Sequence, residues 1–222
     1  MTVFTETAAL TKIVANMAQT QVRQDLRDIQ RMHHVLTTLA CRPDFGPSSR
    51  LAAGLLYRVE HTARGVQILM QSITRPDPKR LSPGYDIIGT TDLAPLLNQL
   101  QIGTRVRYRI TANPTKSVVQ GPNKRGKVQP VTGDEAIEWW SRKANQSGLE
   151  LADTTLTATD RLTGSRAKDG HRSRLTIVAV TFEGTATVVD PSEVSTALLA
   201  GIGRGRAYGC GMLSVAPFHR IE

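Results

Sequence analysis

The sequence predicts an α+β protein of two tandem ferredoxin-like (RRM-like) units, each in the order βαββαβ. Strand-like and helix-like segments run β-α-β-β-α-β through residue 112 and can be taken in the same order again through residue 216. A chain of 222 residues has room for two such units of about 100 residues each. Asn113-Pro114 separates the two series, so an N-terminal domain is expected over 1–113 and a C-terminal domain over 114–222.

Taken in order, residues 1–9 read as a loose leader and Leu10–Ala15 as a strand. Over Gln21–Ala40, Val22, Leu26, Ile29, Met32, Leu36 and Leu39 recur at three- and four-residue steps, which predicts one amphipathic helix. Leu55–His61 and Val66–Ile73 are strand-like, with Gly65 near the turn. Residues 75–91 carry three prolines and read as a loop, followed by a short helix over Asp92–Leu100. Thr104–Ala112 alternates Val106, Tyr108 and Ile110 with Arg105, Arg107 and Arg109, a strand with one basic face that closes the first unit. In the second unit, Ser117–Val131 is strand-like around a basic turn. Gly133–Asn145 is helical, with Trp139 and Trp140 as packing residues. Leu149–Thr159 and Arg174–Glu183 are strands joined by a basic loop, Pro191–Ala200 is a helix, and Tyr208–Ala216 closes the sheet.

Charge narrows the class of partner. The net charge is +9, and the basic residues are segregated. No acid falls between Asp92 and Asp134 or between Glu193 and Glu222, while Arg161, Arg166, Lys168, Arg172 and Arg174 are opposed only by Asp169. Such blocks of one sign favour a polyanion such as nucleic acid. Aromatic residues make up only 5% of the chain, too few for the base-stacking platforms of single-strand binders, so a duplex or stem-loop fits better. Cys41 and Cys210 are too few for a disulfide framework or a zinc site and read as reduced thiols of a cytoplasmic protein. No apolar run is long enough to span a membrane, and the N-terminus lacks a signal-peptide pattern.

The stretch Gly201–Gly211 packs five glycines and two arginines into eleven residues. It reads as a tight turn, as a phosphate contact, or as a nucleotide cradle. A dinucleotide fingerprint follows a strand and opens a helix, whereas here the helix comes first and the strand after. Of the five histidines, none stands at metal-ligand spacing from a second histidine or cysteine, so neither a metal centre nor a cofactor is expected. His33 falls on the flank of the apolar stripe with Gln30 and Thr37, and His34 points away from it. A histidine half-held at a stripe edge can present one ring nitrogen to a cleft; it can equally be a structural residue.

Four stretches together resemble the CasE family, the repeat-processing endoribonucleases of type I-E CRISPR systems. They are Val22–Leu26 running on to Met32-His33, Leu56–Glu60, Arg109–Lys116, and Gly201–Pro217. The resemblance covers about Leu10 to Pro217 and implies the same tandem ferredoxin-like fold. It also implies an activity: metal-independent cutting of CRISPR precursor RNA at the 3′ base of the repeat hairpin. The 2′-hydroxyl attacks, leaving a 2′,3′-cyclic phosphate and a 5′-hydroxyl, and the enzyme stays on the crRNA within the multi-subunit Cascade complex. His33 aligns with the family's catalytic histidine. The family often has a tyrosine three residues earlier, where this chain has Gln30, which cannot give a proton but can hydrogen-bond RNA. That departure leaves room for a non-cleaving RNA-binding subunit. Lys116, Arg166, Lys168, Arg172, Arg174, Arg204 and Arg206 are the expected RNA contacts; the basic loop before Arg174 resembles the family's hairpin against the RNA stem.

Overall fold

The computed structural model describes residues 8–41, 46, 49–119, 121, 126–168 and 171–218, with the side chains at 49, 166–168 and 171–172 outside the description. A first antiparallel sheet holds β1 (Ala9–Ala15), β2 (Leu56–Thr62), β3 (Gly65–Ser72) and β4 (Tyr85–Asp92) in the order β2-β3-β1-β4, the order of a ferredoxin-like unit. The helix expected over 21–40 is two helices, α1 (Thr20–Arg27) and α2 (Ile29–Ala40). Asp28 breaks it with extended backbone, and its carboxylate accepts from the amides of Gln30 (2.8 Å) and Arg31 (3.2 Å). An aspartate that satisfies two orphan amides starts a new helix. Periodicity hides the break because the apolar stripe continues across it: Val22 lies before it and Ile29, Met32, Leu36 and Leu39 after, all buried.

The loop expected over 75–91 ends early. Its second half is β4, which pairs with β1 along Asp92↔Ala9 to Tyr85↔Ala15. As an edge strand it buries only Tyr85, so it lacks the apolar alternation that marks a strand in sequence. A four-residue helix α3 (Ser49–Ala52) precedes β2, and α4 (Ala94–Gln99) follows β4.

With the fourth place of the first sheet taken by β4, the basic strand β5 (Arg105–Ala112) belongs to the second sheet, between β10 (His171–Val188) and β11 (Leu213–Pro217). The changeover between sheets therefore lies between Asp92 and Arg105, ahead of the Asn113-Pro114 junction on which the 1–113 and 114–222 division rests. The segment read as the second unit's first strand is a separate hairpin, β6 (Thr115–Val118) with β7 (Lys127–Pro130). Then come α5 (Gly133–Gln146), β8 (Leu149–Leu151), β9 (Thr155–Lys168), β10, α6 (Pro191–Ala200) and β11. The sheet order is β11-β5-β10-β8, with β9 also on β10, again a ferredoxin-like order with its second strand in two pieces.

Each sheet has its own core. One joins Ile13, Leu36, Leu39, Tyr57, Ile68 and Met70; the other joins Val106, Ile110, Trp140, Phe182 and Val188, and Trp139 and Trp140 pack as expected. A smaller cluster of Ile29, Ile177, Ala179 and Cys210 closes the seam between units, directly below the start of α2. Polar ties cross the same seam. Buried Arg58 on β2 donates to Glu60 (2.8 Å), to Ser214 Oγ (3.1 Å) and to the Met212 carbonyl (3.3 Å). Gln71 Nε2 on β3 donates to the Leu198 and Leu199 carbonyls at the end of α6 (3.1 and 3.2 Å).

Candidate active site and nucleic-acid interface

The site starts from the first turn of α2. While one oxygen of Asp28 caps the helix, the other accepts from the amide of Ser165 on β9 (3.0 Å). Beside it Gly164 leaves no space: a Cβ there would stand 2.9 Å from Asp28 Oδ1 and 3.1 Å from the Gln30 nitrogen. The long hairpin of the second unit is thus seated on the helix end that carries Gln30 and His33, one turn apart.

The glycine-rich stretch enters from the other side. Three of its amides are taken up internally, Ile202 by the Gly211 carbonyl and Tyr208 and Cys210 by that of Gly205, and the amide of Gly211 donates to the Thr111 carbonyl on β5. The helix before it is α6 and the strand after it is β11, so the stretch is a folded turn that docks on the first unit. What it offers an anion is chiefly its arginines. Gly205 (φ 77°) and Gly209 (φ 80°) bracket a short 3-10 turn, Arg206–Tyr208, and both need the left-handed region that glycine adopts without strain. At Gly209 a Cβ would also meet the Tyr57 ring at 3.2 Å. The turn delivers Tyr208, a residue that sequence reasoning passed over. Its hydroxyl donates to Gln30 Oε1 (3.2 Å), and its ring meets His33 edge-on, with centroids 5.7 Å apart at 67°. A phenol falling five residues before a closing strand carries no sequence signal of its own; only the docking of this turn on α2 brings it here.

His33 Nδ1 lies 3.4 Å from Thr37 Oγ1, a long and weak contact. Burial lowers the His33 pKa below the usual imidazole value, and the charges of Arg50 and then His34 lower it further; a backbone hydrogen bond at Ala207 opposes them. Arg50 is a second residue missed in sequence, since it follows a Pro-Ser-Ser run with no periodicity. It donates to the Leu55 carbonyl (2.9 Å). Its own pKa is lowered by burial and by repulsion from Arg206, which in turn donates to the Ala200 carbonyl (2.9 Å). Two guanidiniums that repel one another, one of them beside the His33 imidazole, define a place for an anion.

The other expected contacts divide. Arg174 lines a depression with Arg27, Asp28 and Ser165, at the α2 end. Lys116 and Arg204 line a different one with Lys143 and Trp139, which does not include His33, Gln30 or Tyr208. Lys116 Nζ is paired there with Glu135 (2.6 Å). The side chains of Arg166, Lys168 and Arg172 lie outside the described residues, though their backbone pairs in the β9–β10 hairpin. The basic face of β5 is partly occupied: Arg109 pairs with Glu183 (3.2 Å), and Arg105 and Arg107 both lie over the Phe218 ring at 5.4 Å. Burial pushes the Cys210 thiol up to about 12, which removes it as a nucleophile. Among the described residues no group of three or more His, Cys, Asp or Glu converges on a common point, and no helix is long and apolar enough to cross a membrane.

Two ferredoxin-like units with a cation-lined histidine at their seam describe a protein built to meet a polyanion. Residues 10–217 match the family described as CRISPR associated protein. The chain is 34% identical over 219 residues to the CRISPR-associated endoribonuclease Cse3 of Thermus thermophilus, covering 94% of this chain and 99% of that one. It is 30% identical over 203 residues to the CRISPR system Cascade subunit CasE of Escherichia coli, covering 86% and 93%. The solved structure of Thermus thermophilus Cse3 bound to an RNA representing a pre-cleavage complex superposes with a TM-score of 0.77 at 30% identity, covering 95% of this chain and 99% of that one. The chain belongs to this CRISPR-associated protein family.

Proposed function

We propose that the protein is an endoribonuclease that cuts CRISPR precursor RNA at the 3′ base of the repeat hairpin. It does so without a metal and keeps the mature crRNA as a Cascade subunit in the cytoplasm. The observation that carries this reading is the His33 environment: an imidazole lowered in pKa, flanked by Gln30 and Tyr208 and faced by Arg50, whose own neighbour is Arg206. The RNA-bound relative supports it.

Transesterification needs a base at the 2′-hydroxyl, an acid at the 5′ oxygen and cations around the phosphate. His33 is neutral at neutral pH, and Nδ1, held only loosely by Thr37, accepts the 2′-hydroxyl proton. The 2′ oxygen then bonds to phosphorus as the bond to the 5′ oxygen breaks. Arg50 and Arg206 stabilise the charge that builds on the phosphoryl oxygens. Arg174 at the α2 end, with Arg166, Lys168 and Arg172 on the same hairpin, holds the stem by its phosphates, and Lys116 and Arg204 hold a more distant part of the RNA. Incubating the protein with its host's repeat hairpin RNA in EDTA tests the reading: cleavage leaving a cyclic phosphate supports it, and tight binding without cleavage makes the protein an RNA-binding scaffold instead.

A further inference from the structure

A base at the 2′-hydroxyl leaves half of the reaction unassigned, because the departing 5′ oxygen must gain a proton. The side chain one turn before His33 cannot supply it, since Gln30 carries no transferable proton. Its carbonyl oxygen is nevertheless aimed at something that does. Tyr208 reaches it from the opposite unit, 178 positions along the chain, and points its hydroxyl at Gln30 Oε1 across 3.2 Å. The phenol is half-buried, its ring is set edge-on against His33, and the turn beneath it is fixed by two left-handed glycines. Tyr208 also lines a cleft of about 490 Å³ along the seam, whose walls carry Arg58, His61, Arg109 and Arg161 together with Glu60 and Asp160, so one side of the ring borders open space.

Resting on the endoribonuclease reading, we propose that Tyr208 is the general acid of the cleavage step and that Gln30 is the positioning residue: it holds the phenol by accepting its hydrogen in the free protein, and that hydrogen turns to the 5′ oxygen when RNA is bound. The proton balance closes. The 2′-hydroxyl proton passes to His33 Nδ1, and the 2′ oxygen bonds to phosphorus. The bond from phosphorus to the 5′ oxygen breaks, and that oxygen takes the phenolic proton. The imidazolium and phenolate left behind return to their starting forms by exchange with water. A phenol suits the acid's part because it keeps its proton at neutral pH, while the lowered pKa of His33 suits the base's part. The site thus draws its two halves from the two ferredoxin-like units, and the docking of the glycine-rich turn completes it.

The test compares single-turnover cleavage of the host's repeat hairpin RNA synthesised with oxygen or with sulfur at the 5′ bridging position of the scissile phosphate. A thiolate departs without help from an acid. Tyr208→Phe, which keeps the ring against His33, is expected to cut the oxygen substrate about 100-fold more slowly than wild type, with unchanged RNA affinity, and to cut the sulfur substrate at the wild-type rate. His33→Ala is expected to be slow on both. Equal slowing of Tyr208→Phe on the two substrates, or no slowing on oxygen, overturns the assignment while leaving the endoribonuclease reading intact; failure of the wild type to cut either substrate overturns that reading itself. Gln30→Leu gives an independent check, because it leaves Tyr208 in place without its acceptor. It is expected to slow only the oxygen substrate, and equal slowing on both counts against the proposal.

Discussion

Asp28 holds the amide of Ser165 with one carboxylate oxygen while the other caps α2, so a single side chain fixes the start of the helix to the hairpin of the second unit. Replacing it by alanine removes an N-cap worth about 1 kcal/mol and a further charge-assisted bond across the seam. The expected loss is about 2 kcal/mol in all, read as a drop in the urea midpoint. Cleavage should slow roughly tenfold or more as the α2 end loosens, because small misplacements are costly in catalysis. Asp28→Asn, which keeps an acceptor, should fall between. An Asp28→Ala protein with unchanged stability would show that the tie is idle.

The lowered pKa of His33 sets a pH dependence. The folded state binds the His33 proton less readily than the unfolded chain, so the unfolded chain carries more protons between the folded value and the unperturbed one near 6.5. Stability therefore falls as pH drops through that window, and the cleavage rate loses its neutral base at a pH below the usual imidazole range. Arg50→Gln removes the largest neighbouring charge behind the shift and should move the His33 titration upward, measured by NMR of the ring protons. No movement in that variant would remove Arg50 from the site.

Arg58 joins the sheets at a cost that shows when it is removed. Its guanidinium is buried against Glu60 and holds Ser214 and the Met212 carbonyl of the other unit. Arg58→Ala leaves Glu60 with only the longer contact to Arg109, at 3.7 Å. The expected destabilisation is about 3 kcal/mol by denaturant titration. A loss under about 1 kcal/mol, the range of an exposed pair, would show that the seam is held by its apolar cluster alone.

Much of this architecture was legible in the sequence, and the misses share a cause. Periodicity found the α2 stripe, the Trp139-Trp140 helix, α6 and the alternation of β5, because those elements bury one face in a core. It missed β4, an edge strand with Tyr85 as its one buried side chain, and that miss placed β5 in the wrong sheet. His33 and Gln30 were found by stripe position and resemblance. Tyr208 and Arg50 were not, because they reach His33 only through tertiary docking: one by a turn folded through Gly205 and Gly209, the other from a helix of four residues. Likewise, spacing could show that Lys116 is basic, but not that Glu135 holds it.

That pair gives a prediction about RNA affinity. The Lys116–Glu135 contact is exposed and worth under about 1 kcal/mol, so RNA can take the lysine from the carboxylate. Glu135→Gln should tighten binding of the repeat hairpin, whereas Lys116→Ala should weaken it and reduce the slope of log Kd against log salt by about one. Arg174→Ala should do the same. An unchanged slope in either variant would remove that residue from the RNA interface.

The central claim is that His33, and not its neighbour, drives a metal-independent cut. Wild-type protein, His33→Ala and His34→Ala should each be incubated with the repeat hairpin RNA in EDTA, and the product ends determined. Wild type and His34→Ala are expected to give a 2′,3′-cyclic phosphate and a 5′-hydroxyl, and His33→Ala to be slower by about 100-fold or more with RNA still bound. Cleavage by His33→Ala at the wild-type rate, or binding by the wild type with no cut at all, would contradict the account.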